Sequence, residues 1–246
     1  MAKFNPDAYD AFLIESNAVG FFFPPITLKS GRPGYYYINM RDLLRNQATK
    51  GKAAQFIYAF AMDHGIKPNA FLGIPEGATE VAAAVTELID YLPKEEVSAA
   101  VLRTKPKGHG DPKDRNTVGP LDYQQVYATV EDVTTTGEST ITNLITMQEA
   151  GIRVKDDISM ASREELRDRG RRIPELLKKD FNVTFHPMAP ASRILRKKFQ
   201  QQYRGRKIDE PEVGQLVDNI YKYSKRFGEV EIDLSTVDLS VEATTA

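Results

Sequence analysis

Cysteine is absent from the 246 residues of the sequence. Disulfides, thiolate-bound zinc and cysteine nucleophiles are therefore excluded. Histidine is scarce, because only His64, His109 and His186 occur, and no two of them have the spacing of metal ligands. An excess of charge of one sign is also lacking. The net charge is −1, so the overall electrostatics give no reason to expect nucleic acid or a membrane surface as a partner.

Long apolar runs are lacking as well. No run approaches the length needed to span a bilayer, and the N-terminal MAKFNPDAYD carries charges where a signal peptide needs an apolar stretch. We therefore expect a soluble, cytoplasmic protein. With 41% hydrophobic and 27% charged residues the composition is ordinary for a globular protein, and the length allows one large domain or one domain with an appendage.

What the sequence does contain is an alternation of helical and strand-like segments. Helical periodicity is found at 5–16, after Thr49, at 81–89, at 141–148 and again from Asp209. Short apolar runs typical of strands lie at 70–74, 98–102, 126–130, 157–161 and 183–186. The pattern predicts an α/β fold with a mostly parallel central sheet flanked by helices, in which ligands bind beyond the carboxyl ends of the strands.

The segment VYATVEDVTTTGEST, residues 126–140, has the features of a ligand site. We expect a buried strand to end at Val130, followed by Glu131 and Asp132 and then by a loop of hydroxyl side chains that leads into a helix. Backbone N–H groups and the positive end of the helix dipole suit a phosphate there, and Gly137 lets the backbone approach it closely. The acids would repel a phosphate but can accept hydrogen bonds from sugar hydroxyls. Together these features predict a sugar phosphate as the ligand.

Two other interpretations of this segment can be weighed. A P-loop is excluded because no Gly-Lys-Ser/Thr follows. The residues of the segment alone are equally compatible with a plain turn, in which Thr136 or Ser139 caps the helix and the acids are solvated. The run EDVTTTGES resembles the signature of the type I phosphoribosyltransferases, which bind phosphoribosyl pyrophosphate (PRPP). The resemblance implies their α/β fold with a small N-terminal hood, and it implies PRPP contacts by Glu131, Asp132, Thr134, Thr135, Thr136, Gly137, Glu138 and Ser139.

A second unusual segment, RTKPKGHGDPKDRNTVGP at 103–120, links two predicted strands. It has no apolar periodicity, and its prolines, glycines and bases are typical either of a solvated, mobile loop or of a functional lid. The pattern R-x-x-x-K-x-H-G resembles the catalytic lid of orotate phosphoribosyltransferases. The resemblance implies that Arg103, Lys107 and His109 bind PRPP at its pyrophosphate and act in catalysis, across the interface of a homodimer.

The chemistry of such a lid agrees with that of the strand-end segment. When pyrophosphate leaves a sugar carbon, negative charge develops on the leaving oxygen and positive charge on the ribose. Mobile cations would stabilise the first charge, and Asp132 beneath the ribose, as a further catalytic residue, would stabilise the second. Closure would also exclude water and limit hydrolysis of PRPP. Mg²⁺ is the expected cofactor, carried on PRPP rather than held by a protein metal site.

The segment ITLKSGRPGYYYINMR, residues 26–41, combines turn residues with a β-prone run of tyrosines. Strand packing is the default explanation of the tyrosines, but LKSGR followed by tyrosines and an asparagine resembles the N-terminal part of orotate phosphoribosyltransferases. SREE at 162–165 resembles the Asp-Arg-Glu-Glu run of the same family. The resemblance implies that Lys29 binds PRPP. It also implies that orotate, whose carboxylate suits a guanidinium, is bound by Tyr37, Ile38, Thr135 and Arg163.

The resemblance covers about residues 5–203 and implies a definite reaction. PRPP and orotate would give orotidine 5′-monophosphate and pyrophosphate, a step of de novo pyrimidine synthesis. The chain departs from the family pattern at Glu76 and Thr104, where many members have lysine, and at Ser162, which replaces an aspartate. A phosphoribosyltransferase for another nucleobase therefore remains an alternative.

The part of the chain beyond residue 203 has no counterpart in the resemblance. We expect a phosphoribosyltransferase domain over 1–203, with a hood from about 1–45, and a helical extension over 204–246 with an acidic tail whose last dozen residues are frayed. A basic cluster at 193–207 leaves open a third alternative, a PRPP-sensing regulatory or RNA-binding relative. A charged amphipathic helix that covers the sheet is the other explanation of this cluster.

Overall fold

The computed structural model describes residues 3–240 apart from 28–31, 45, 106, 109–114 and 120. In chain order the helices are α1 (Pro6–Glu15), α2 (Arg41–Leu44), α3 (Gln47–Asp63), α4 (Thr79–Glu87), α5 (Glu138–Glu149), α6 (Ile173–Leu176), α7 (Ala191–Gln202) and α8 (Pro211–Phe227). The strands are β1 (Val19–Thr27), β2 (Pro33–Ile38), β3 (Phe71–Gly73), β4 (Val101–Leu102), β5 (Thr117–Val118), β6 (Val126–Thr134), β7 (Arg153–Ser162) and β8 (Thr184–Pro187). Lys29 and His109, both predicted to bind PRPP, lie outside the described residues.

The N-terminal hood consists of α1 and the antiparallel pair of β1 and β2. α1 begins where the sequence predicts, because the Asn5 side chain accepts hydrogen bonds from two N–H groups of the first turn. α3 begins earlier than predicted. Its N-cap is Asn46 rather than Thr49, and the Asn46 side chain accepts the Thr49 N–H, which satisfies a donor that the helix itself leaves unpaired.

The central sheet has four parallel strands in the order β3-β6-β7-β8, as the alternation of segments predicts. Alternate residues of its strands enter two hydrophobic clusters: Phe71 and Ala128 lie in one, and Leu72 and Tyr127 in the other. Helices therefore cover both faces of the sheet. Within the part of the chain that the structure describes, none of the helices combines the length and apolarity that crossing a bilayer requires.

Two predicted strand limits are wrong. β6 does not end at Val130 but continues through Thr134, because it stays paired with β7 as far as the Thr134–Ser162 register. The run at 98–102 forms a strand only at Val101 and Leu102, and these residues pair antiparallel with β5 instead of joining the central sheet. The 103–120 segment thus leaves and returns along a short ribbon of its own.

The C-terminal extension packs against the rest of the chain. Residues of α8 such as Val213, Leu216 and Ile220 are buried in the hydrophobic cluster that contains Phe71 and Ala128. The expectation that the last dozen residues are frayed is wrong for 235–240, because Leu239 is 7% exposed and its carbonyl accepts the N–H of Gly205. The apolar side chains of the acidic tail reach the core, and the sequence pattern alone does not show this because they are single residues among polar ones.

Candidate active site

The loop between β6 and α5, residues 135–137, starts at the carboxyl end of a central strand, and with its flanking residues, 134–139 in all, it is called the strand-end loop below. Gly137 is the N-cap of α5 and has a left-handed backbone, with φ 66° and ψ 19°. A Cβ at this position would lie 2.7 Å from Cδ1 of Ile173, so both conformation and space favour glycine. No side chain caps the helix, which contradicts the plain turn capped by Thr136 or Ser139. The first N–H groups of α5 remain available to a ligand at the loop.

The two acids of the segment differ in environment because they lie on opposite faces of β6. Glu131 is 5% exposed, and its Oε2 accepts hydrogen bonds from the hydroxyls of Thr134, at 2.7 Å, and Thr140. Burial raises the pKa of Glu131 to about 6, against these two hydrogen bonds. Asp132 is only partly buried, and burial raises its pKa as well. Glu131 therefore supports the loop from beneath, whereas Asp132 lies where a ligand can reach it.

The turn after β3 brings backbone close to Asp132. A Cβ on Gly77 would lie 2.4 Å from the Asp132 Oδ2, so only glycine allows this approach. A Cβ on Gly73 would lie 2.3 Å from the carbonyl oxygen of Ala78, which keeps the turn tight. Glu76 is exposed in the same turn, and the peptide bond that precedes it is cis. The carboxyl ends of β3 and β6 thus place the Glu76–Gly77 turn beside the predicted ribose site.

Arg163 lies next to the strand-end loop, at the end of the neighbouring strand β7. Its N–H donates to the Thr134 carbonyl at 2.8 Å. Its guanidinium carbon is 4.2 Å from the centre of the Tyr36 ring, and its Nε donates to Glu165 Oε1 at 2.7 Å. Arg163 is 7% exposed, and among the described residues its Nη2 has no hydrogen-bond partner. A buried cationic donor without a partner suits an anionic ligand group.

The tyrosine run contacts the site in a way that the sequence does not reveal. Tyr37 and Ile38 are the predicted orotate ligands, but the ring over Arg163 belongs to Tyr36. Ile38 is buried on the same side of β2 as Tyr36, while Tyr37 packs on Phe22 with the ring centres 5.2 Å apart. Alternation along β2 separates the three residues into two sets, and only the tertiary structure shows which set faces Arg163.

A second arginine ties the two loops together. Arg167 donates from Nη1 to the Thr136 carbonyl and from Nη2 to Glu138 Oε2, each at 2.7 Å. The segment that carries Arg163 therefore also fixes the predicted phosphate loop. Arg167 stands in a stretch rich in arginine, RDRGRR at 167–172, and nothing in the sequence distinguishes it from its neighbours.

Asp157 is a further acid that sequence reasoning missed. It lies on β7 opposite Thr129, whose hydroxyl donates to Asp157 Oδ1 at 2.6 Å, and its Oδ2 has no partner among the described residues. Burial, with the charge of Glu131 as a smaller cause, raises the pKa of Asp157 to about 8. Burial therefore favours the protonated, uncharged form of this carboxyl group. An acid at the start of a predicted strand gives no sequence signal of such burial.

The described part of the lid is held at its base. The backbone N–H of Arg103 donates to the Asn116 carbonyl and its Nε donates to the Thr117 carbonyl, both at 2.9 Å. The N–H of Lys107 donates to the Arg115 carbonyl at 2.7 Å. The two arms of the lid are thus joined to each other, and the pyrophosphate contacts of Arg103 and Lys107 stay a prediction.

Three bases of the cluster at 193–207, all on α7, are paired within the protein. Arg193 donates to both carboxylate oxygens of Asp10 at 2.8 Å, and Lys197 pairs with Asp7 and, at 2.7 Å, with Asp10. Arg196 donates to Thr236 Oγ1 and to the Asp233 carbonyl. These three bases hold α1 and the C-terminal tail against α7, which accounts for them without an RNA ligand.

Comparison with known proteins assigns the chain to a family. It is 31% identical over 145 residues to the orotate phosphoribosyltransferase of Bradyrhizobium sp. (strain ORS 278), which covers 57% of this chain and 75% of that protein. The orotate phosphoribosyltransferase of Aquifex aeolicus is 29% identical over 145 residues, with 58% and 75% covered. No protein-family model matches the chain. The chain belongs to the orotate phosphoribosyltransferase family.

Solved structures of this family share the fold. The orotate phosphoribosyltransferase of Francisella tularensis superposes with a TM-score of 0.66 at 15% identity and covers 90% of this chain and 100% of its own. The orotate phosphoribosyltransferase of Mycobacterium tuberculosis, in complex with PRPP, gives a TM-score of 0.54 at 20% identity, with 76% and 98% covered. The type I phosphoribosyltransferase fold that the sequence motifs imply is therefore confirmed.

Two departures from the orotate phosphoribosyltransferase pattern have visible surroundings. Ser162, in place of aspartate, is 5% exposed, and its Oγ accepts the N–H of Glu164 at 3.1 Å, so it holds the turn that follows Arg163. Glu76 is exposed beside the predicted ribose site, where an acid cannot replace a phosphate-binding lysine.

Proposed function

We propose that the protein transfers the 5-phosphoribosyl group of PRPP to orotate and releases pyrophosphate. In the reaction the bond between ribose C1′ and the pyrophosphate oxygen breaks, a bond from C1′ to N1 of orotate forms, and N1 loses its proton. The observation that carries the proposal is Arg163, a buried arginine whose Nη2 has no partner among the described residues and whose own backbone is bonded to the strand-end loop. It brings a carboxylate-binding group and a sugar-phosphate loop together, as orotate and PRPP require.

The strand-end loop binds the 5′-phosphate and the ribose of PRPP. The hydroxyls and N–H groups from Thr134 to Ser139, with the start of α5, are the donors for the phosphate. Asp132 accepts from the ribose hydroxyls and stabilises the positive charge that develops on the ribose as pyrophosphate leaves. Glu131 acts from beneath, because its carboxylate is bonded to Thr134 and Thr140.

The lid neutralises the leaving group. Arg103, Lys107 and His109 supply cations for the pyrophosphate, and Lys29 supplies one from the hood. Mg²⁺ fits as an ion that arrives with PRPP, since phosphate oxygens and a single carboxylate such as Asp132 are enough for it. No group of three or more His, Asp or Glu side chains that could hold a metal is found in the described part of the chain. When bound, the ion lowers the negative charge of the pyrophosphate.

Orotate lies between the hood and Arg163. The Nη end of Arg163 binds the carboxylate, Thr135 adds a hydroxyl, and Ile38 lines the pocket from the side of β2 that carries Tyr36. Tyr37 lies on the other side of β2 against Phe22, so we do not place it in this pocket. A base without a carboxylate would leave Nη2 of Arg163 buried and unpaired, which penalises it. Orotate should therefore be preferred to other nucleobases in a turnover assay with PRPP and Mg²⁺.

Replacement of Arg163 tests the proposal. We expect Arg163→Ala to raise the KM for orotate by at least about 30-fold, the size of effect found when one partner of a buried charged pair is removed, while the KM for PRPP stays near wild type. Steady-state kinetics with each substrate varied in turn measures both constants. Arg171→Ala, an exposed arginine of the same segment, is the matched control. An unchanged orotate KM in Arg163→Ala would remove the proposed base site.

Two further features belong to the proposal. The enzyme acts as a homodimer in which the lid of one subunit closes over the site of the other, and it works in the cytoplasm in pyrimidine synthesis. What supports the dimer is the lid itself: its base is a ribbon outside the central sheet, and its arms carry the cations that the strand-end loop lacks.

A further inference from the structure

The C-terminal helix α8 covers the segment that carries Arg163. The Phe227 carbonyl accepts the Leu166 N–H at 2.8 Å, and the Glu229 N–H donates to the Glu164 carbonyl at 2.6 Å. The Tyr223 ring, 4% exposed, lies edge-on to Tyr36, with the ring centres 6.3 Å apart. The extension is therefore attached to the proposed orotate site through both backbone and side chains.

Tyr223 and Arg163 share a carboxylate. Glu165 is 1% exposed, and its Oε1 accepts both the Arg163 Nε, at 2.7 Å, and the Tyr223 hydroxyl, at 2.9 Å. Its Oε2 accepts Arg32 Nη1 from the hood at 2.8 Å. The carboxylate is thus held by donors from three separate parts of the chain, and such networks fix geometry more strongly than a single pair.

The network determines which part of Arg163 is left for a ligand. Glu165 occupies Nε and Tyr36 covers a face of the guanidinium, so the Nη end remains, and Nη2 has no partner in the part of the chain that the structure describes. We infer that Tyr223 is a positioning residue of the orotate site, which through Glu165 aims the Nη end of Arg163 at the orotate carboxylate. The inference rests on the proposed function, and it makes the C-terminal extension part of substrate recognition.

Removal of the Tyr223 hydroxyl alone tests the inference. We expect Tyr223→Phe to raise the KM for orotate by about 3- to 10-fold, the worth of one hydrogen bond in the network, with kcat and the PRPP KM within about twofold of wild type. The matched control is Tyr221→Phe on the same helix. It also loses a hydroxyl bonded to a carboxylate, but that carboxylate is Glu231, with Oε2 at 3.1 Å, rather than Glu165.

A double-mutant cycle separates positioning from general stability. If Tyr223 acts through Arg163, Tyr223→Phe should have no further effect on the orotate KM in an Arg163→Ala background. A residue that only stabilises the fold would lower the melting temperature, change both KM values together and act additively with Arg163→Ala. Additive effects, or an orotate KM in Tyr223→Phe equal to that of Tyr221→Phe, would overturn the inference.

Failure of the proposed function gives a different result. In that case Arg163→Ala itself leaves the orotate KM unchanged, whatever Tyr223→Phe does. Should Tyr223→Phe not fold, as judged by its melting curve, Glu165→Gln replaces it in the same cycle, because the amide keeps the size of the side chain but changes its bonds to Arg163 and Arg32. An orotate KM unchanged in Glu165→Gln would also overturn the inference.

Discussion

Two buried acids lie on adjacent central strands behind the strand-end loop. Glu131 has two threonine donors, whereas Asp157 has one and leaves Oδ2 unpaired among the described residues. Because burial raises the pKa of Asp157 from 3.8 to about 8, the folded protein keeps this proton over a range in which the unfolded chain has lost it. The unfolding free energy of the protein therefore depends on pH through Asp157, which is not one of the residues proposed to bind PRPP or orotate.

The Asp157→Asn variant should lose this dependence. A raised pKa in the folded state means that its stabilisation is complete below about pH 4 and is lost as the pH rises toward about 8. The unfolding free energy of wild type therefore falls by about 1.4 kcal/mol for each pH unit within that window. Asparagine cannot ionise, so the variant does not show this fall. We expect the stability of Asp157→Asn relative to wild type to increase steadily from pH 5 to pH 7.

Urea denaturation at several pH values within this window measures the difference. Asp209→Asn, at an exposed acid, is the control for loss of a carboxylate. If the unfolding free energies of Asp157→Asn and wild type run parallel with pH, the assignment of the retained proton to Asp157 is wrong.

At the scale of elements, the unit of β6, loop and α5 depends on one glycine. Gly137 combines a left-handed backbone with close contact to Ile173, so alanine there meets both strain and a clash. We expect Gly137→Ala to lower the unfolding free energy by about 1–2 kcal/mol through backbone strain alone, and to raise the KM for PRPP because the N–H groups of the loop shift.

Gly205→Ala is the matched control for this prediction. Gly205 has a φ of 75° and no atoms within 4 Å of the position of a Cβ, so its variant carries similar strain in the connection between α7 and α8, outside the loop. It should lose similar stability and keep the PRPP KM of wild type. Equal PRPP constants for both alanine variants would show that the loop does not bind the phosphate through its backbone.

The lid is an element of a different kind. Its base is a two-stranded ribbon, and the sequence predicts its function from composition and from the resemblance rather than from periodicity. Arg103 and Lys107 are joined by backbone hydrogen bonds to the opposite arm, so the two bases are presented by one unit that can move together. Such a unit suits closure over a leaving group.

At the scale of the whole molecule, the proposed dimer makes a complementation test possible. Lys107→Ala removes the lid cation and Asp132→Asn the ribose partner, and each variant alone should have severely reduced kcat. If the lid acts on the neighbouring subunit, a mixed dimer has one site with both changes and one site with neither. Random mixing of equal amounts should therefore restore about a quarter of wild-type activity.

Activity is measured after the two variants are unfolded and refolded together, and each variant refolded alone is the control. Absence of recovery in an exchanged mixture would place Lys107 in the site of its own subunit. Recovery in the separately refolded samples would mean that the chemistry needs neither residue.

The sequence by itself determined the parts of this protein that are contiguous in the chain. The presence and order of the strand, turn and helix from Val126 to Glu149 follow from an apolar run, a glycine and a helical period, which are local properties, whereas the end of the strand at Thr134 depends on its pairing with β7. The same holds for the cap of α1 at Asn5 and for the parallel α/β class. Local backbone preferences act over a few residues, so a sequence pattern is enough to predict them.

Only the tertiary structure decided which distant residues meet. Tyr36, Arg163 and Tyr223 come from the hood, from the end of β7 and from α8, and they converge because each element buries its apolar face in the same core. The burial of Asp157 and the pairing of the α7 bases with Asp10 are likewise long-range. Such contacts depend on how elements pack, and one sequence contains no local signal for the partner of a side chain far along the chain.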